Sequence, residues 1–174
     1  MTFPDPAPVI SIYTLAFAAA IGIVAGLRSM TGPAAVSWAA YLGWLNLSGS
    51  PLSFMNTTAA VAVFSILAVA EYVADKLPRT PNRTRAGPLV GRILMGALAG
   101  ACLTVSAGGS LLAGAGMGSI GAVAGAFTGY EVRRKLVRDL EIRDLPVALA
   151  EDLVAIVLAL LLLAGARNYG GAIA

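Results

Sequence analysis

Apolar residues in this chain fill long unbroken runs separated by short polar breaks, rather than alternating or recurring on one helix face. The first run is Val9 to Leu27, ended by Arg28, and the second is Pro33 to Leu47. The third is Thr57 to Leu77, stopped by Pro78, and the fourth is Pro88 to Ala107. The fifth is Ser110 to Tyr130, and the sixth follows Asp144, with Pro146 in its first turn, and reaches Ala166. Crossing a hydrocarbon core of about 30 Å takes about 20 mostly apolar residues in a helix. The pattern therefore predicts an all-α polytopic membrane protein, a bundle of six transmembrane helices in a single domain over 1–174. The second run is short for a full crossing. Thr31 and Asn56 are the expected N-caps of spans two and three, and Pro33 suits a first turn, where its missing N–H costs nothing. Trp38, Tyr41 and Trp44 fit an interfacial aromatic belt at the far end of span two.

Composition agrees with lipid as the solvent. Hydrophobic residues make up 58% of the chain, charged residues only 12%, and mean hydropathy is +0.82. In water such a chain would expose far too much apolar surface. The net charge of +3 would suit a nucleic acid, but no aromatic-plus-basic module accompanies it. The basic residues instead lie between the apolar runs. Arg28, Lys76, Arg79, Arg83, Arg85, Arg92, Arg133, Arg134, Lys135, Arg138 and Arg143 fall on one side, and Arg167 alone on the other. The positive-inside rule makes the rich side cytoplasmic, so both termini face out and the spans form three hairpins. Met1 to Pro8 lacks Lys and Arg, so a retained first helix is expected rather than a cleaved secretory signal.

Several chemistries are excluded or disfavoured. With no histidine and one cysteine, Cys102, the chain has no internal disulfide, no Cys/His zinc site and no bis-histidine haem. No P-loop, Gly-x-Ser-x-Gly or His-Glu-x-x-His motif is present. Neither an enzymatic activity nor a cofactor is expected. An Asp/Glu metal site around Glu71, Asp75, Glu151 and Asp152 is conceivable from residue type, but no spacing requires it.

Glycines at spacing four form stripes: Gly22 and Gly26, Gly96 and Gly100, then Gly121, Gly125 and Gly129. Such stripes let helix backbones approach closely in lipid. Ile21 to Gly26 resembles Ile120 to Gly125, Gly22 to Gly26 resembles Gly96 to Gly100, and Ala70-Glu71 resembles Ala150-Glu151. An internal duplication and chance likeness among Ala/Gly-rich helices both account for these echoes. The glycine-dense stretch Gly108 to Gly129 exceeds what packing needs, so a broken or re-entrant fifth span is the expectation there.

Charges within spans are costly, by about 2.5 kcal/mol or more at the bilayer centre. Those in question are Arg28, Glu71, Asp75, Arg92, Glu131, Glu151 and Asp152. Glu71 and Asp75 are four apart and share a helix face. Glu71 lies about 9 Å inside the end of span three, at 1.5 Å per residue. Glu151 and Asp152 reach a similar depth from the same side, and Arg28 and Arg92 enter that level from spans one and four. A polar cluster of acids and arginines is expected where several helices meet. One reading is an ion-pair network that fastens the helices. The other is a site for an ion, a proton or an anionic headgroup. Arg28-Ser29-Met30-Thr31-Gly32-Pro33 joins two helices tightly, and the Ser29 and Thr31 hydroxyls with the N–H groups opening span two suit an anion or ordinary capping. Arg133-Arg134-Lys135 reads as a topology signal and a contact for anionic lipid headgroups.

Gly26-Leu27-Arg28-Ser29, Pro33, Asp75-Lys76-Leu77-Pro78, Gly87-Pro88, Gly91-Arg92 and Glu151-Asp152, in this order, resemble the small bacterial membrane proteins of domain of unknown function 4126. The resemblance covers nearly the whole chain and implies a polytopic protein of the bacterial cytoplasmic membrane, with no activity attached. Three functions fit. The first is a small-solute or ion transporter or channel, with proton coupling open, whose pathway uses Arg28, Ser29, Thr31, Glu71, Asp75, Arg92, Glu131, Glu151 and Asp152. The second is a translocase or binder of phosphate-bearing lipid, and the third a structural or assembly protein. Expected partners are the bilayer, anionic headgroups, a small ion or anionic solute, and a second copy of the chain as a homodimer.

Overall fold

The computed structural model describes residues 12–75, 85–139 and 143–170. Within them the chain is helical: α1 Ile12–Leu27, α2 Thr31–Tyr41, α3 Thr58–Ala74, α4 Ala86–Ser106, α5 Leu111–Arg134 and α6 Asp144–Gly170. A 3-10 turn, Ser53–Asn56, precedes α3, and α5 runs on as a π-helical turn, Lys135–Asp139. The segments 86–106, 111–138 and 144–167 are long and apolar enough to cross a membrane. Helices α1 and α3 are apolar but shorter. The Pro78, Lys76, Arg79 and Arg83 positions lie outside the described residues.

Helix α2 departs most from expectation. Its 11 residues rise about 16 Å, which falls short of the hydrocarbon thickness. The expected span to Leu47 is cut at Gly43, whose φ of 73° is open to glycine at little steric cost. There the N–H of Gly43 bonds the Ala40 carbonyl and that of Trp44 bonds Ala39, closing the helix end. The chain then folds back as a compact loop. Leu45, Leu47, Leu52 and Met55 are buried in it and join the hydrophobic core. Asn46 N–H donates to Ser106 Oγ at 3.0 Å, fixing this loop to the end of α4. Trp38 and Tyr41 are about half exposed and meet edge to face at 6.2 Å, while Arg167 stands 5.2 Å over the Trp44 ring.

The centre of the bundle is α1, α4 and α5, which pack on one another along their lengths. Backbones touch there because glycines face each other. A Cβ on Gly118 would overlap the Gly96 carbonyl, one on Gly22 the Gly118 carbonyl, and one on Gly125 the Ile23 carbonyl. Such contacts give van der Waals energy where lipid offers no hydrophobic drive between helices. They also correct the expectation of a broken fifth span. Helix α5 is continuous, and its glycines at 114, 118, 121 and 125 are spent on close approach to α1 and α4. The segments around Gly22, Gly96 and Gly121, which echo one another in sequence, all take part in this packing.

Helix α3 leans on α2. Trp38 Nε1 donates to Ser65 Oγ at 3.0 Å, and the Thr31 and Tyr72 hydroxyls share a hydrogen bond of 2.7 Å. Helix α6 leans on α1 and α2 and hardly touches α5. Both present rows of exposed apolar side chains, Val63, Ile66 and Val69 on α3 and Leu153, Leu160 and Leu161 on α6. A lipid phase accepts such rows without cost. The α3 N-cap is Thr57, whose Oγ1 accepts from Ala60 N–H at 3.1 Å, so the expected Asn56 cap is displaced by one residue.

Candidate functional site

One end of the bundle gathers the C-terminal ends of α1, α3 and α5 and the N-terminal ends of α2, α4 and α6. Helix ends carry unsatisfied backbone groups, and in an apolar medium these require partners. Charged side chains supply several of them here. Arg92 of α4 is buried, and its Nη1 donates to the Gly26 and Leu27 carbonyls at 2.9 Å each, closing the end of α1. Glu71 of α3 serves the start of α2. Its Oε1 accepts from Ser29 N–H at 2.8 Å and Ser29 Oγ at 3.0 Å, and its Oε2 accepts from Met30 N–H at 2.8 Å. Arg92 Nη2 stands 3.6 Å from Glu71 Oε1, so the two capping groups also neutralise each other.

This arrangement corrects the reading of the α1–α2 loop. Thr31 does not cap α2: Met30 holds that position without a side-chain bond, and Thr31 is occupied with Tyr72. The loop N–H groups that suited an anion do bind one, but it is the carboxylate of Glu71 from the same chain.

Arg28 sits beside this pair with no exposed surface. Its Nη1 bonds the Asp75 carboxylate. Its Nε lies 2.6 Å from Asp152 Oδ1 and its Nη2 3.9 Å from Glu151 Oε2. Neither Nε nor Nη2 has an aligned hydrogen-bond acceptor, so these contacts are charge pairings rather than hydrogen bonds. Glu151 also faces Arg133 Nη1 at 3.9 Å, and Arg133 is held by Asp144 through Nε and Nη2 at 3.0 and 2.8 Å. The structure thus brings Arg28, Ser29, Thr31, Glu71, Asp75, Arg92, Glu151 and Asp152 to one level, drawn from α2, α3, α4 and α6 and from the α1–α2 loop.

Glu131 is not among them. It is about half exposed and pairs with Arg134 three residues on, at 2.8 Å, away from the other members. Arg133, Asp144 and Tyr72 are the members that sequence reading passed over. The signal for the first two was their position, a cation in the last turn of α5 and an anion in the first turn of α6. Among the described residues no cluster of three or more His, Cys, Asp or Glu side chains is arranged to hold a metal ion.

No curated protein and no solved structure shows significant similarity to this chain. A family sequence profile does match the chain. That match runs over residues 15–168, and the chain belongs to the family named for domain of unknown function 4126.

Proposed function

We propose that the protein is a multi-pass protein of a bacterial cytoplasmic membrane that passes protons or another small cation through the carboxylate-rich centre around Arg28. In this reading the cluster end faces the cytoplasm and both termini lie opposite, as the one-sided basic residues require.

The observation that carries this reading is the state of Arg28. The guanidinium is wholly buried, yet its Nε and Nη2 lack aligned acceptors, although carboxylates stand on every side. A pure fastening network is expected to satisfy its buried donors. Glu71, Asp75, Glu151 and Asp152 gather around Arg28 and Arg92, and Glu151 also faces Arg133. Ionisable groups at such a depth mark ion and proton paths in membrane proteins. Glu71 and Arg92, bound to helix ends, serve as the frame. Asp75, Glu151 and Asp152 are the exchanging groups.

Reconstitution into proteoliposomes tests this directly. Dissipation of an imposed proton or monovalent-cation gradient faster than in protein-free vesicles is expected. Background rates for every cation, from protein shown to be folded, would remove the transport reading and leave the fastening role.

A further inference from the structure

The cluster does not account for the space between α5 and α6. These two helices hardly touch along their spans, because α6 leans on α1 and α2 instead. Between them lies a crevice of about 480 Å³, floored by Leu27 and walled by Val132 and Leu136 on one side and Val147, Ala150 and Val154 on the other. Among the described residues its charged lining is Arg133 and Glu151, at the end nearest the cluster. The segment at this mouth, 131–138, carries Arg133, Arg134, Lys135 and Arg138 against one acidic residue, Glu131, which pairs with Arg134. Arg134, Lys135 and Arg138 are exposed around it, while Val132 and Leu136 turn into the crevice.

We infer that this crevice binds a phosphate-bearing membrane lipid, one acyl chain lying between α5 and α6 and the phosphate held at the basic rim. Two observations select that occupant. The first is shape and lining: a narrow crevice of about 480 Å³ with almost wholly apolar walls suits a single flexible chain. The second is charge complementarity. Basic side chains at the mouth of an apolar pocket between transmembrane helices match an anionic headgroup above its tail. Asp144 pins Arg133 across the mouth through two hydrogen bonds, which orients the guanidinium at the boundary of apolar lining and basic rim.

Native mass spectrometry of the full chain in mild detergent tests the inference. The probes are phosphatidylglycerol and a diacylglycerol with the same acyl chains, which separates the phosphate from the tails. Inorganic phosphate serves as the tail-free probe. Phosphatidylglycerol should be retained about tenfold more than diacylglycerol, and free phosphate should not compete. Ala150→Trp and Val154→Trp, each filling the crevice, should lower retention about tenfold at an unchanged melting temperature, and K135Q/R138Q should remove the preference for the phosphate. Equal retention of both lipids would overturn the proposal. So would full retention by the folded tryptophan variants, or cysteine cross-links from Ala150→Cys showing a second copy seated over the groove.

Discussion

The carboxylate of Glu71 accepts the backbone N–H of Met30, 41 residues earlier in the chain, at 2.8 Å. With the Ser29 bonds it supplies from α3 the cap that α2 lacks locally. Glu71→Ala leaves two part-buried N–H groups without their acceptors and removes the carboxylate that faces Arg92. A loss of about 3–5 kcal/mol is expected, read as a fall in the thermal midpoint in detergent. Glu71→Gln, which keeps one acceptor oxygen in place, should lose less.

Arg92 makes the reciprocal contact at the end of α1. Arg92→Ala should cost about 2–3 kcal/mol, because hydrogen bonds from a charged donor to two buried carbonyls disappear together. Arg92→Lys should recover part of this, since an ammonium retains donors for the Gly26 and Leu27 oxygens. Hydrogen exchange in the last turn of α1 should rise in the alanine variant before exchange in α5 does.

The glycine contacts give opposite expectations within one helix. Gly118→Ala forces a methyl into the Gly96 carbonyl, and backbone cannot move aside cheaply. A cost of about 1–3 kcal/mol or more is expected. Gly116 has nothing within 4 Å of an added Cβ and lies inside α5, so Gly116→Ala should be neutral or stabilising by up to about 1 kcal/mol. Matched thermal melts of the two variants check this, and equal effects would contradict the close-packed α1–α4–α5 centre.

Hydropathy runs revealed the number and order of the helices because each run is long and bounded by Pro, Gly or charge. The depth of the acids was legible too, since Glu71 and Asp75 count back from the end of α3 and Glu151 and Asp152 count forward from Pro146. Facing was not. A helix that is apolar on every side has no polar stripe to orient it, so nothing showed that Glu131 points out to Arg134 while Arg133 points in to Asp144. The glycine run of α5 was misread for a related reason. Its glycines look like breaks until the neighbouring backbones of α1 and α4 are placed against them. Gly43 was the overlooked local signal, a helix stop four residues before the expected end of span two.

The deciding measurement is cation flux through Asp152→Asn in proteoliposomes, compared with the native protein at equal folded amount. Asp152 is nearly buried against Arg28, and the amide preserves its shape while removing its charge. If the Arg28 centre passes protons or cations, flux should fall by about tenfold or more while the melting temperature moves by only a few degrees. Native flux in a fully folded Asp152→Asn protein would contradict the account and leave the cluster as a fastening for the helix ends.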